Sequence, residues 1–287
     1  MKKAVSQCWR LVKLEEVITS LEKGLIHEPS STYHFVHVFH ECDETKGRAL
    51  ALNLFHAYMQ KERLRCYRSL GNYLVYMLVE VGCINNAHQV FDRLSYRNDS
   101  SWNALIIGYV RYGKPELALD LYQQMMHSDE SLHANSKTFI HTLKACTNLK
   151  NLKQGLQVHV HVVNAGLLER DPFITSALID MYAKCRSLSR AIQVFNKLPI
   201  RDRVSWTSLI SGYVEHGDSK QALVCFEQMR KEGVSLDAIS YVCALKACGS
   251  LKSLAKGQGI HDEIERLGLL ERNQFLCSIL IDMYTKC

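Results

Sequence analysis

The sequence has little proline and lacks several patterns that mark other classes of protein. Four prolines among 287 residues, with no runs of alternating polar and apolar residues, favour an all-α protein. No run of 18 apolar residues occurs, so we expect no membrane-spanning helix and no membrane partner. The 11 cysteines indicate a reducing compartment rather than a disulfide framework.

Motifs for catalysis or metal binding are equally scarce. His159 and His161 are two residues apart on a predicted helix and would point to different faces, which makes a poor metal pair. His261 and Glu263 match the H-x-E half of a zinc cytidine deaminase, yet the chain contains no C-x-x-C. The sequence therefore predicts no enzyme activity, no cofactor and no metal site. Its net charge of +6 permits a polyanionic partner without demonstrating one.

One stretch shows clearly what is present, a helical hairpin of about 35 residues. Its first apolar stripe has helical spacing and consists of Trp206, Leu209, Ile210, Tyr213 and Val214. Gly217 supplies a left-handed stop, and Asp218 can cap the next helix with Gln221 three residues further on. A second stripe follows at Leu223, Phe226 and Met229.

This hairpin belongs to a pattern that repeats. WNALIIGYV at 102–110 returns as WTSLISGYV at 206–214, LKACTNLKNLKQG at 143–155 as LKACGSLKSLAKG at 245–257, and LIDMYAKC at 178–185 as LIDMYTKC at 280–287. Each return comes after 102 to 104 residues, which is room for three hairpins. One hairpin of this size cannot bury its apolar face alone, so neighbouring hairpins must stack into a solenoid.

These motifs resemble the pentatricopeptide repeat family, specifically the plant type in which P, L and S hairpins alternate. The pattern of a tetratricopeptide array is missing. The resemblance implies an all-α, right-handed superhelical solenoid of stacked hairpins. Its hairpins are 32–67 (degenerate L), 68–98 (S), 99–135 (P), 136–171 (L), 172–202 (S), 203–237 (P), 238–273 (L) and 274–287 (truncated S), preceded by a capping helix or partial repeat at 1–31.

Members of this family read one base per helical repeat with two or three side chains. The resemblance implies that the fifth residue of a hairpin and its last residue together face one base. The pairs are Asn72 with Asn98, Asn103 with Asn135, Ser176 with Asp202, and Thr207 with Asp237. By resemblance, Asn with Asn favours pyrimidines, and Ser or Thr with Asp favours guanine. The L-type hairpins have Ile140 and Val242 in fifth place, so we expect them to read weakly or not at all.

Two further positions follow from the resemblance. The second residue of a hairpin should wedge between neighbouring bases, and the residues suited to this are Phe173, Val204, Ile239 and Phe275. Ser69, Ser100 and Lys137 occupy the same position in earlier hairpins and depart from its apolar preference. At the thirteenth position, Arg111 and Lys184 could contact phosphates, whereas Glu80 and Glu215 could not.

Several of these residues also have a purely structural interpretation. Asp202 and Asp237 could cap the helix that follows, and Trp102 and Trp206 are expected in the hairpin core. Cys146 and Cys248 occupy the same place in successive repeats, as do Cys185 and Cys287, and we expect small core residues there.

The resemblance implies a factor that binds single-stranded RNA and places C-to-U editing in a mitochondrion or chloroplast. A deaminase or another editing-complex protein could act in trans, because many relatives carry a C-terminal DYW deaminase domain and this sequence contains none. The sequence looks like an N-terminal fragment or a shortened gene model, since its last apolar stripe has no partner helix. The alternative is a protein-interaction solenoid that does not bind RNA.

Overall fold

The computed structural model describes residues 44–60, 68–128, 133–168, 170–198, 200–271 and 273–287. These residues form fourteen α-helices and no strand. The predicted partial repeat at 1–31 lies outside the described residues, as do 32–43 and 61–67 of the first predicted hairpin. In chain order the helices are α1 (Glu44–Gln60), α2 (Arg68–Glu80), α3 (Ile84–Asp92), α4 (Asp99–Arg111), α5 (Pro115–Ser128), α6 (Ser136–Leu149), α7 (Leu152–Asn164), α8 (Pro172–Lys184), α9 (Leu188–Asn196), α10 (Arg203–Glu215), α11 (Ser219–Lys231), α12 (Ala238–Ser250), α13 (Leu254–Arg266) and α14 (Gln274–Lys286).

From α2 onward the helices alternate as the first and second members of hairpins. The first helices, α2, α4, α6, α8, α10, α12 and α14, begin at the residues where the seven predicted repeats from 68–98 onward begin. The turn of the hairpin 203–237 forms as expected, since Gly217 has a φ of +79°. Asp218 caps α11 by accepting a hydrogen bond from the Gln221 amide at 3.2 Å. The division into P, L and S types stays a prediction.

The described residues form two compact units, divided between Thr138 and Phe139. In the second unit, α8 packs on α10, α10 on α12 and α12 on α14, so the first helices make one layer. The second helices α9, α11 and α13 each contact their own first helix and the next one. In the first unit α2 packs on α4, and α3 contacts both. The prediction of an all-α solenoid of stacked hairpins is confirmed.

Within each unit the core lies between the two helices of a hairpin and the first helix of the next one. Trp102 and Trp206 are 2% and 3% exposed, which confirms that they belong to the core. The glycines that end the repeated segments 143–155 and 245–257 have a packing role, because a Cβ on Gly155 or Gly257 would collide with the sulfur of Met181 or Met283 respectively. Among the described helices, none is both long enough and apolar enough to span a membrane.

The repeated cysteines are mostly core residues, as predicted. Cys146 and Cys248 are fully buried and Cys185 is 8% exposed, whereas Cys287 at the last position is exposed. Burial raises the pKa of the Cys146 thiol to about 12 and that of Cys248 to about 11. These thiols therefore stay protonated at neutral pH and pack as small hydrophobic groups.

Candidate nucleic-acid interface

Four apolar side chains at the second position of the hairpins face solvent in the second unit. Phe173, Val204, Ile239 and Phe275 are 65%, 45%, 60% and 59% exposed. Each lies in the first turn of a first helix, and these helices pack side by side. We call these four residues the stacking row. Large apolar side chains exposed at a regular interval form a surface suited to flat apolar ligands.

The same position is polar in the earlier hairpins. Ser69, Ser100 and Lys137 are all exposed, like the members of the stacking row. Every second-position residue from the hairpin 68–98 onward thus faces solvent. What differs along the chain is the chemistry offered there, since only the last four are apolar.

The predicted base-reading residues at the hairpin ends all cap the helix that follows. The Asp202 carboxylate accepts a hydrogen bond from the Ser205 amide at 2.8 Å, and that of Asp237 from the Ser240 amide at 2.9 Å. Asn98 caps α4 in the same way. These bonds satisfy amides that a helix start leaves without partners. Capping occupies Oδ1 of each aspartate and leaves Oδ2 available; Oδ2 of Asp237 lies 3.6 Å from Nε of Arg203.

The structure brings the fifth residue close to the last residue in each of the four hairpins with a predicted polar pair. The Ser176 hydroxyl lies 3.5 Å from Oδ1 of Asp202, and it also donates to the Pro172 carbonyl at 3.0 Å. Thr207 lies 3.1 Å from the Ser240 hydroxyl, which in turn donates to Asp237 at 2.7 Å. The two members of these pairs are therefore neighbours, in contact directly or through one hydroxyl.

The pair formed by Asn72 and Asn98 has a different geometry. Asn72 is 2% exposed, and its amide nitrogen donates to the Tyr96 carbonyl at 3.0 Å. Its amide oxygen accepts from the backbone N–H of Asn98 at 3.0 Å. Both ends of the Asn72 amide are thus bonded to the main chain that closes its own hairpin. A base would therefore have to reach a side chain that is almost fully buried.

A groove of about 390 Å³ runs along the first helices α6, α8 and α10. Phe173 and Val204 of the stacking row line it, together with Ser176 and the predicted phosphate contact Lys184. Ile140, the fifth residue of the preceding L-type hairpin, also lines this groove. One cavity therefore brings together a second-position, a fifth-position and a thirteenth-position residue of the hairpin 172–202.

Both predicted phosphate contacts are held in ion pairs within the chain. Nζ of Lys184 lies 2.9 Å from a carboxylate oxygen of Asp180, and Arg111 lies 2.9 Å from Glu80. All four side chains are partly exposed, and ion pairs of this kind contribute about 0–1 kcal/mol. A phosphate could exchange with the carboxylate at small cost. The sequence analysis missed these pairs, although Glu80 and Arg111 occupy the same position in successive hairpins.

A second cavity, of about 470 Å³, lies at the C-terminal ends of α6, α8 and α10. Four basic side chains line it, namely Lys150, Lys184, Arg186 and His216. The acidic side chain of Glu215 lines it as well. Lys150 and Arg186 have φ values of 51° and 60°, the left-handed conformation that glycine adopts in other hairpins. The sequence analysis did not single out either residue. The described residues contain no cluster of three or more metal-ligating side chains.

Family models agree with the repeats that the structure shows. A model described as "PPR repeat family" matches residues 201–250, and one described as "PPR repeat" matches 100–129 and 173–201. Pentatricopeptide repeat-containing protein At3g12770 of Arabidopsis thaliana is 39% identical over 75% of this chain. The chloroplastic protein At1g11290 of the same plant is 37% identical over 71% of it. The chain spans only 30% and 25% of the length of these two relatives.

Solved structures show the same fold at low sequence identity. The crystal structure of PPR10 in complex with an 18-nt psaJ RNA element has a TM-score of 0.57 at 18% identity, and the match covers 81% of this chain and 37% of that one. A tetratricopeptide repeat protein from Parabacteroides merdae has a TM-score of 0.55 at 15% identity, over 94% of this chain and 99% of that one. The chain therefore carries pentatricopeptide repeats, and over most of its length it is similar to plant pentatricopeptide repeat-containing proteins.

Proposed function

We propose that this chain binds single-stranded RNA along its layer of first helices and reads one base per hairpin. The observation that carries the proposal is the stacking row, whose side chains are 45% to 65% exposed. In the helices of Phe173 and Val204, the fifth residue of a polar pair lies three residues further on. Exposed aromatic and aliphatic groups offer a face for bases, and a base stacked on an aromatic ring contributes about 1–3 kcal/mol.

Base identity would be read by the pairs Ser176–Asp202 and Thr207–Asp237. The Oδ2 atoms of the aspartates, which the capping bonds do not use, only accept hydrogen bonds, which suits the two donors on the pairing edge of guanine; at Asp237 the base would share Oδ2 with Arg203. Ile140 and Val242 offer no polar atom, so their hairpins contribute contact without selection.

The two asparagine pairs would prefer pyrimidines, with unequal strength. The described bonds of Asn72 involve both ends of its amide, whereas the described bond of Asn103 involves only the oxygen, so we expect weaker selection at Asn72. With RNA running parallel to the chain, the hairpins from 68 to 273 would prefer 5′-pyrimidine-pyrimidine-any-G-G-any. The first and second bases would then face Asn72 and Asn103.

Phosphates would follow the basic edge of the same helix layer. Lys184 lines both the groove and the basic cavity, so a phosphate next to a base at Ser176 would lie within reach of Lys150 and Arg186. In the hairpin 99–135, Arg111 would contact the phosphate, and this contact would replace its ion pair with Glu80. Such contacts release counterions and make binding dependent on salt.

The cellular role follows from the relatives. Several related proteins of Arabidopsis thaliana are named as chloroplastic or mitochondrial, and we propose one of these organelles for this chain. Within it, the chain would act as a specificity factor for C-to-U editing, with a deaminase or another editing protein supplied in trans. RNA binding and base choice would be its own contribution.

A selection from randomised RNA tests the proposal. RNA retained on filters should be enriched for two guanines at the fourth and fifth bases, and its affinity should fall steeply with salt. A protein-interaction solenoid, the alternative function, would enrich no sequence and would show no salt-dependent RNA binding. Either of these two negative results would exclude base reading by this chain.

A further inference from the structure

We propose that the buried hydroxyls of Thr138 and Ser240 are positioning residues that fix the base-reading pair of the preceding hairpin. Each is the third residue of an L-type hairpin, and each is fully buried. The inference rests on the proposed RNA binding. It adds a third residue, from the next hairpin, to the two that face a base.

At Ser240 the contacts form a chain of three polar side chains. The Ser240 hydroxyl donates to Oδ1 of Asp237 at 2.7 Å, and it lies 3.1 Å from the Thr207 hydroxyl. A hydroxyl carries one proton, which Ser240 donates to the carboxylate, so Ser240 can only accept from Thr207; the single proton of Thr207 has the Arg203 carbonyl, at 2.8 Å, as its other acceptor. The fifth and last residues of the hairpin 203–237 are thus connected through a residue of the following hairpin.

At Thr138, in the first unit, a third-position hydroxyl again lies between the fifth and last residues of the preceding hairpin. Both of its neighbours there are amide oxygens, which only accept, so its single proton bonds one of them at a time. The Thr138 hydroxyl lies 2.7 Å from Oδ1 of Asn103 and 3.0 Å from Oδ1 of Asn135. Its backbone amide also donates to Oδ1 of Asn135 at 2.9 Å, which is the capping bond of this helix. Two hairpins in different units therefore use a hydroxyl in the same position for the same connection.

The S-type hairpin 172–202 provides an internal contrast. Ser205 is also the third residue of the hairpin that follows, and it is 1% exposed. Its hydroxyl donates to the backbone carbonyl of Asp202 at 2.9 Å, and Ser176 reaches the Asp202 carboxylate directly, at 3.5 Å. A hydroxyl at the third position therefore bridges the fifth and last residues of the preceding hairpin only where that hairpin is P-type.

The bridge matters for recognition because it fixes side chains before a base arrives. Each rotatable side chain that is immobilised on binding costs about 0.5–1.5 kcal/mol, so a pair held in place in advance binds more tightly. The bridge also occupies Oδ1 of Asp237 twice, through the amide and the hydroxyl of Ser240, and so leaves Oδ2, which lies 3.6 Å from Nε of Arg203, as the atom that would meet a base. Loss of the hydroxyl should weaken selection at one base and leave the others unchanged.

The test compares Ser240→Ala with Ser205→Ala. Both substitutions remove a buried hydroxyl from the third residue of a helix and leave the capping amide in place. Affinity is measured for RNAs that differ only at the fifth base, and the result is the ratio of the affinities for G and A. We expect Ser240→Ala to lower that ratio roughly two- to tenfold. Ser205→Ala should leave it unchanged.

Two further variants separate positioning from a general loss of structure. Ser240→Thr keeps the hydroxyl, and Thr138 shows that a threonine fits the equivalent place, so the ratio should return to that of the wild type. Thr138→Val should weaken selection at the second base only. An unchanged ratio, or an equal loss for all RNAs, in Ser240→Ala overturns the inference while RNA binding stands. A wild-type chain with no preference at the fifth base overturns the inference together with base reading.

Discussion

Phe195 meets Trp206 edge to face, with ring centroids 4.6 Å apart and planes at 68°. Arg201 lies over the Phe195 ring at 5.0 Å and completes the cluster. The same three residue types recur 104 positions earlier, where Phe91 meets Trp102 at 4.7 Å and 79° under Arg97. The junction between the hairpins 172–202 and 203–237 is therefore built in the same way as the junction between 68–98 and 99–135.

The first prediction concerns the stability of this junction. Phe195 is 3% exposed, so Phe195→Ala should remove a core ring and lower the free energy of unfolding by about 3–5 kcal/mol. Phe173→Ala is the matched control, because Phe173 is 65% exposed and its loss should cost less than about 0.5 kcal/mol. Urea unfolding followed by circular dichroism measures both. Equal midpoints for the two variants would contradict the assignment of core and surface.

Much of the fold could be predicted from the sequence because each hairpin carries its own signals. The stripe around Trp206, the stop at Gly217 and the cap at Asp218 are local patterns, and the structure confirms all three. Sequence rules for helix ends failed where a residue other than glycine adopts the left-handed conformation of the turn. Lys150 and Arg186 adopt the left-handed turn without the signal that marks Gly217.

The candidate site was only partly predictable. The family resemblance supplied the positions of the stacking row, and the structure shows that these side chains are exposed; their contact with bases stays a prediction. The bridging hydroxyls and the ion pair between Glu80 and Arg111 join residues about one repeat apart, so they appear only when hairpins stack. The sequence also gave no sign that Asn72 closes its own hairpin.

The second prediction concerns pH. Nδ1 of His159 lies 2.6 Å from the Tyr182 hydroxyl. Burial, with the nearby charges of Lys197 and Arg190 adding to it, lowers the pKa of His159 below its usual value of about 6.5. The unfolded chain therefore binds this proton more readily, so stability should be lost as the pH falls below about 6.5.

His159→Gln tests this pH dependence. The variant keeps a polar side chain but does not titrate, so its free energy of unfolding should change less between pH 7 and pH 5 than that of the wild type. Urea unfolding at several pH values gives the comparison. The same slope in both proteins would show that His159 does not contribute.

The third prediction concerns stacking. Ile239→Ala should weaken RNA binding several-fold without a change in stability, because Ile239 belongs to the stacking row and is 60% exposed. Ile200→Ala is the control, since Ile200 is 78% exposed and lies outside the row. Filter binding with the selected RNA measures both affinities. If the two variants bind equally well, the stacking row is not where the bases lie.

The fourth prediction concerns Lys184 and its carboxylate partner. Asp180→Asn removes the ion pair at 2.9 Å, so Lys184 should contact phosphate more readily and RNA affinity should rise. Lys184→Gln should lower affinity for all sequences alike and reduce the salt slope by about one. Binding isotherms at several salt concentrations give the slopes. A change in base preference instead would place Lys184 among the base-reading residues.

The central claim is that the last residue of a hairpin reads a base, and Asp237→Asn tests it most directly. Asparagine is as good a helix cap as aspartate, so its amide oxygen can keep the bond to the Ser240 amide and the fold should be unchanged. The NH₂ group would then take the place of Oδ2 and would donate to the ring nitrogen of adenine. We predict that preference at the fifth base moves from G toward A by about 1–3 kcal/mol, with the other bases unaffected. An equal loss of affinity for all four bases would show that Asp237 is a helix cap and does not read RNA.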